Sequence, residues 1–267
     1  MSTLHITTLQ ADLVWENKSA NLRYFEDQIL NYVGATEVIV LPEMFSTGFT
    51  MRPELFAEPM EGETIGWMSD LSRRKKAIIT GSLIVSEGGG YFNRLVWMQP
   101  DGQYGHYDKR HLFSLAGEEK HYKAGSKKRI ASVKGWKINL QVCYDLRFPV
   151  WARQPPQGNG TADIPRYDVL LYVANWPEKR NHAWKTLLVA RAIENQCYVV
   201  GVNRVGNDGN GIYHSGDSLV VDPQGQILYH AADRADTHGM LLQKSTLDET
   251  RKALSFLDDA DSFYIEP

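Results

Sequence analysis

The sequence holds only two cysteines, Cys143 and Cys197, in 267 residues. That is too few for a disulfide framework and fits a reducing compartment. No apolar run reaches the roughly 18 residues that a membrane helix requires. Neither a basic start nor an apolar stretch marks the N-terminus Met1-Ser2-Thr3-Leu4-His5 as a signal peptide. Charge of one sign is lacking too: 29 Lys+Arg stand against 32 Asp+Glu, a net charge of -3, which gives no footprint for nucleic acid or an anionic membrane. None of the eight histidines falls into an H-x-H, H-E-x-x-H or Cys/His ligand spacing, so no metal is expected. Internal repeats and low-complexity blocks are absent. The chain reads as a soluble, cytoplasmic, globular protein.

What is present is a regular alternation of short β-branched runs with amphipathic helical patterns. Strands are predicted at Leu4–Gln10, Glu37–Leu41, Ala77–Val85, Tyr91–Gln99, Gln103–Tyr107, Ile138–Val142, Tyr167–Val173, Tyr198–Asn203, Ser218–Val221 and Ile227–His230, with a last one near 238–243. Helices are predicted over 17–33, 63–76, 181–196 and 246–256. Leu22, Phe25, Ile29 and Val33 form the stripe of the first, and Gly34 is its expected C-terminal stop. The basic run Arg73–Lys76 suits the negative pole of the second helix. Gln154–Pro165 has the only linker-like composition and reads as a surface insertion near 154–165. The pattern implies one layered α/β domain over 1–267.

In such sheets reactive groups collect just past the carboxyl ends of core strands. Three ends carry an ionisable group: Glu43 after EVIVLP, Lys109 after YGHYD and Cys143 after INLQV. Each has an ordinary reading. Glu43 could cap the next segment, Asp108–His111 could be a solvated turn, and buried inert cysteines are common. Together they supply complementary chemistry. A thiol near pKa ~8.5 needs a base, a carboxylate can take its proton, and an ammonium can stabilise the thiolate and a tetrahedral oxyanion. The Tyr144 N–H, on the turn behind the sulfur, is the nearest backbone donor to that oxyanion. Pairing Cys143 with His111 or His182 is the rival chemistry, and it leaves Glu43 and Lys109 idle. Asn207–Gly211 lacks the Lys-Ser/Thr of a phosphate loop and reads as a turn, and Cys197 reads as core.

The stretches LPEMFSTGF (41–49), YDKRHLF (107–113), VCYDLRFP (142–149) and YVANWP (172–177), extended by WKTLLVARAIENQCYV (184–199) and a GDS-plus-turn segment (216–225), resemble the nitrilase, or carbon–nitrogen hydrolase, superfamily. The resemblance spans about residues 4–245. It implies a four-layer α-β-β-α sandwich that forms a back-to-back homodimer and hydrolyses nonpeptide C–N bonds without a cofactor. On it Glu43 is the general base, Lys109 the oxyanion stabiliser and Cys143 the nucleophile. A second glutamate precedes a Gly turn in the family; here Glu118 is favoured, with Glu119 as the fallback. The long VCYDLRFPVWAR and YVANWP stretches look most like the omega-amidase branch, hydrolases of linear amides whose small-molecule substrates are 2-oxoglutaramate and 2-oxosuccinamate. A 2-oxo acid needs a cation at the pocket. Arg147 is the nearest arginine to Cys143 in sequence, although the same residue suits a structural ion pair. Phe45, Tyr144 and Trp176 could wall the pocket or pack in the core. A sibling hydrolase of nitriles, N-carbamoyl compounds or simple amides, and a silent dimeric module, are the competing readings.

Overall fold

The structure, a computed structural model, describes residues 2–154, 166–261, 263 and 265. The insertion expected near 154–165 lies, apart from Gln154, outside the described residues.

Among the described residues thirteen strands form two sheets. In the first are β1 (Thr3–Gln10), β2 (Val38–Val40), β3 (Ile78–Glu87), β4 (Gly90–Met98), β5 (Tyr104–Asp108) and the last strand, β13 (Asp236–Gln243), in the order β13-β1-β2-β3-β4-β5. The second holds β6 (Ile130–Val133), β7 (Trp136–Val142), β8 (Val169–Ala174), β9 (Tyr198–Asn203), β10 (Val205–Asn207) and β11 (Tyr213–Val221) in the order β10-β11-β9-β8-β7-β6, with β12 (Ile227–Ala232) paired to β11. Strands β1, β2 and β3 run parallel, as do β7, β8 and β9; the flanking strands pair antiparallel.

Side-chain alternation explains the layering. Val38, Val40, Leu95 and Trp97 point into the core shared with the second sheet, whereas Ile39, Val96 and Met98 point the other way. That second face is covered by α1 (Lys18–Asn31), through Leu22, Phe25 and Ile29, and by α3 (Glu63–Lys75), through Ile65, Met68 and Leu71. The far face of the second sheet is covered by α5 (Asn181–Asn195), through Trp184, Leu188 and Ala192, and by Leu247 of α6 (Lys244–Ala253). The result is the α-β-β-α sandwich. Two single-turn helices, α2 (Pro53–Phe56) and α4 (Pro149–Ala152), complete the helical set.

Gly34 does not play its expected part. Helix α1 ends at Asn31, and Tyr32 caps it in extended geometry with its N–H on the Gln28 carbonyl at 3.1 Å. Gly34 has no positive φ; glycine stands there because a Cβ would collide with the Tyr32 ring. Left-handed caps close α3 and α5 instead, where Lys76 adopts φ 54° and Gln196 φ 43°.

Candidate active site

The two sheets bring their strand ends to one place. Glu43 follows β2 and Lys109 follows β5. Because β4 is antiparallel to both β3 and β5, it begins where β5 leaves off, which sets Asn93 beside Lys109: the Lys109 N–H donates to the Asn93 carbonyl at 3.0 Å. The second sheet supplies Cys143 at the end of β7 and Asn175 at the end of β8. Glu118 arrives from a 3-10 turn, Glu118–Lys120, entered through Gly117 at φ 73°.

These groups form a dry polar cluster. Glu43, Lys109 and Glu118 are at most 1% exposed and Cys143 is 8% exposed. The Lys109 Nζ donates to Glu43 Oε1 at 2.9 Å and to Glu118 at 2.9 and 3.1 Å. Asn93 Nδ2 donates to Glu43 Oε1 at 2.8 Å and to Glu118 Oε1 at 3.3 Å, so one amide bridges both carboxylates. Glu43 Oε2 accepts the Asn175 N–H at 2.8 Å, and Glu118 Oε2 accepts the Phe113 N–H at 2.6 Å. Cys143 and Glu43 line the same cavity.

The cluster's charge follows from this geometry. Burial disfavours the Lys109 ammonium, but the Glu118 and Glu43 carboxylates override it and push its pKa up, so lysine stays charged. Burial, with the Glu43 charge added, raises the Cys143 thiol well above its usual range against the pull of Lys109. At rest the sulfur therefore keeps its proton. Burial likewise raises Glu118 against the pull of Lys109.

Cys143 sits at φ 42°, a left-handed conformation rare for a residue with a Cβ, at the head of the 3-10 turn Cys143–Arg147. The sharp turn lifts its sulfur out of the sheet into a cavity of about 280 Å³, which Glu43, Lys109, Tyr144, Arg147 and Trp176 also line. The sequence-predicted residues therefore converge, with two distinctions. Glu118 reaches Lys109, whereas Glu119 is exposed. Phe45 is fully buried beneath the first sheet, edge-on to Phe25 at 5.8 Å, and is not a cavity wall. The backbone explains the displacement of Phe45: Met44, at φ 42°, reverses the chain after Glu43, so residue 45 turns inward toward α1.

The cluster Asp108–His111 is not a solvated turn. Asp108 accepts two hydrogen bonds from Arg94, at 2.6 and 2.9 Å, Arg110 lies over Trp151, and His111 pairs with Asp145 at 2.8 Å. Asn93, Asn175, Arg180 and His214 were missed as site residues. Asn175 lies inside the matched YVANWP, and Asn93 is a buried amide in an apolar strand, the one signal that could have marked it. His214 comes from the β10–β11 hairpin around Asn207–Gly211, which does form a turn but also lines the cavity. Among the described residues no group of three or more His, Cys, Asp or Glu side chains is disposed to hold a metal ion. Cys197 is buried in the core.

Comparison with known proteins agrees with this architecture. The carbon-nitrogen hydrolase family model matches residues 5–253. The chain is 45% identical over 267 residues to the omega-amidase YafV of Escherichia coli K12, covering 98% of this chain and 99% of that protein. It is 30% identical over 260 residues to the 2-oxoglutaramate amidase of Bacillus subtilis, covering 95% and 96%. The crystal structure of XC1258 from Xanthomonas campestris, a CN-hydrolase superfamily protein with an arsenic adduct in its active site, superposes with a TM-score of 0.95 at 40% identity, covering 100% of both chains. Fold, strand-end cluster and sequence agree: the chain belongs to the carbon–nitrogen hydrolase family.

Proposed function

We propose that this protein is an omega-amidase, hydrolysing the terminal amide of 2-oxoglutaramate and 2-oxosuccinamate to the 2-oxo acid and ammonia. The relatives named omega-amidase and 2-oxoglutaramate amidase support this substrate class. The observation that carries the mechanism is Lys109 clamped between Glu43 and Glu118 in the cavity that Cys143 also lines.

In the first half-reaction Glu43 takes the thiol proton as the sulfur attacks the amide carbon. Negative charge moves from Glu43 to sulfur and then to the amide oxygen, where Lys109 and the Tyr144 N–H stabilise it. The C–N bond breaks as Glu43 returns the proton to nitrogen, and ammonia leaves. In the second half Glu43 deprotonates a water that attacks the thioester, and Cys143 recovers its proton as the acid departs. Glu118 and Asn93 keep Lys109 and Glu43 in place throughout. No step calls for a metal or organic cofactor. Arg147, Tyr144 and Trp176 hold the substrate, with Arg147 toward its carboxylate.

The family likeness also supports a back-to-back homodimer, a single domain over 1–267 and a cytoplasmic setting for a small-molecule substrate. No helix of the described residues is long and apolar enough to cross a membrane. The test is ammonia release from a panel of 2-oxo acid amides, simple amides, nitriles and carbamoyl amino acids, with Cys143→Ala as control. Full activity in that variant would overturn the mechanism; simple aliphatic amides outrunning 2-oxoglutaramate about a hundredfold would overturn the substrate.

A further inference from the structure

Two arginines face the cavity, and aromatic rings hold them where carboxylates usually would. The Arg147 guanidinium lies over the Trp176 ring at 4.9 Å, and the Arg180 guanidinium lies over the Phe113 ring at 5.2 Å. Among the described residues neither meets a carboxylate within ion-pair distance, whereas Arg52, Arg74, Arg94 and Arg204 each pair with at least one. Among the described residues the other acidic side chain lining the cavity beside Glu43 is Asp208, and its Oδ1 accepts the Asn210 and Ile212 N–H groups at 2.8 and 2.9 Å.

The two cations are tied to one frame. Trp176 Nε1 donates to the Arg180 carbonyl at 2.8 Å, so the ring beneath Arg147 also fixes the turn that carries Arg180. Phe113, beneath Arg180, meets the Tyr144 ring at 5.0 Å, and Tyr144 adjoins the nucleophile. Aromatic support orients a guanidinium without neutralising it, leaving its planar N–H fork open to an incoming anion. Cys143 and Arg147 occupy the two ends of one 3-10 turn, roughly 8 Å apart at about 2 Å per residue. Both residues line one cavity, which gives a short chain room to run between a reacting amide at Cys143 and an anion at Arg147.

We infer that Arg180, acting with Arg147, forms a two-arginine clamp for the distal carboxylate and adjoining 2-oxo oxygen of the substrate, and so selects anionic amides over neutral ones of equal length. This rests on the omega-amidase reading and assigns to Arg180 a specificity role within it. A carboxylate flanked by a ketone presents three acceptor oxygens near one plane, which two guanidinium forks can satisfy and one cannot.

The experiment measures kcat and KM by ammonia release for two acid–neutral comparisons, 2-oxoglutaramate against pentanamide and succinamate against butanamide, in wild type, Arg180→Met, Arg180→Lys and Arg147→Met. Arg180→Met should lose about 30-fold in kcat/KM on each acid, mostly through KM, with the neutral amides within about twofold of wild type. Arg180→Lys should fall between, keeping the charge without the fork. Arg147→Met should show the same selective loss. Equal losses on acid and neutral substrates, or no loss on either, would overturn the clamp. The wild-type preference for 2-oxoglutaramate over succinamate reports separately on the function proposed above, because the clamp is read from variant-to-wild-type ratios whichever acid is turned over faster. Urea unfolding midpoints matching wild type certify that each variant is folded.

Discussion

The Asp145 carboxylate accepts the Val142 N–H at 3.0 Å and thereby ties the chain after Cys143 to the chain before it. Between them Cys143 holds its left-handed conformation, which costs on the order of 1–3 kcal/mol and persists only when the surroundings overdetermine it. Asp145 is itself overdetermined. It also accepts Tyr107 Oη at 2.7 Å and the His111 N–H at 3.0 Å, with the His111 ring 2.8 Å away. Trp151 Nε1 donates to Tyr107 Oη at 2.9 Å and His111 stacks on Phe148 at 3.8 Å, which anchors the partners in turn. Asp145→Asn keeps the size but sets an NH2 against donors. It should cost about 2–4 kcal/mol in urea unfolding and lower kcat at least tenfold while KM moves little. A stability loss with kcat unchanged would mean that the network supports the fold alone.

Glu43 has two effects on Cys143 that a single variant separates. Its charge raises the thiol pKa, and its carboxylate is the proposed acceptor of the same proton. Glu43→Gln removes the opposing charge and leaves Lys109 beside the sulfur, so the thiol should ionise at lower pH than in wild type. Amide hydrolysis should nevertheless fall by at least about 100-fold, since the proton shuttle is gone. Iodoacetamide labelling of Cys143 against pH, read beside ammonia release, checks both halves. Labelling that shifts to higher pH would contradict the electrostatic account.

His214 gives the pH prediction. It is 2% exposed at the cavity wall, and burial together with Arg204 lowers its pKa from 6.5 to about 4. The unfolded chain therefore binds a proton near pH 6.5 that the folded chain refuses until about pH 4. Stability contributed by neutral His214 is complete above pH 6.5 and is lost as pH falls through that window, by about 3 kcal/mol in total. Urea unfolding at pH 7 and pH 4.5 should show a smaller acid loss in His214→Gln than in wild type. An identical loss in both would assign the acid sensitivity to carboxylates such as Asp217, whose pKa is lowered, against its burial, by hydrogen bonds from Ser215, His230 and Lys185.

Glu43 and Cys143 were legible because each follows an apolar run containing Val and Ile, and Lys109 because it follows the strand YGHYD; these patterns mark the strand ends within a residue or two. What a one-dimensional pattern does not carry is the packing of one sheet on the other. Asn93 becomes a site residue only because antiparallel β4 returns its first half to the ends of β2 and β5. Glu118 was separable from Glu119 through family likeness, but physically the choice is made by the turn at Gly117, which points one carboxylate inward and leaves its neighbour in solvent. Arg180 and His214 come from a turn and a hairpin whose local sequence says only that the chain reverses. The short strands β6 and β10 were missed because three or four residues carry too little periodicity to read.

Phe45 shows how a motif position can mislead, and it yields the last prediction. It lies two residues beyond Glu43 inside LPEMFSTGF, yet its ring packs against Phe25 of α1 and against Trp67 of α3 at 5.9 Å. Its N–H donates to the Ser82 carbonyl at 3.1 Å, while the Met44 N–H donates to Ser82 Oγ at 2.9 Å, so β3 holds the segment independently of the ring. Phe45→Leu removes aromatic volume from the helix–sheet interface without touching the cavity. It should therefore cost about 1–2 kcal/mol in urea unfolding, with the order of preference across the amide panel unchanged. A changed substrate order at unchanged stability would put the ring back at the cavity wall, where the motif alone suggests it belongs.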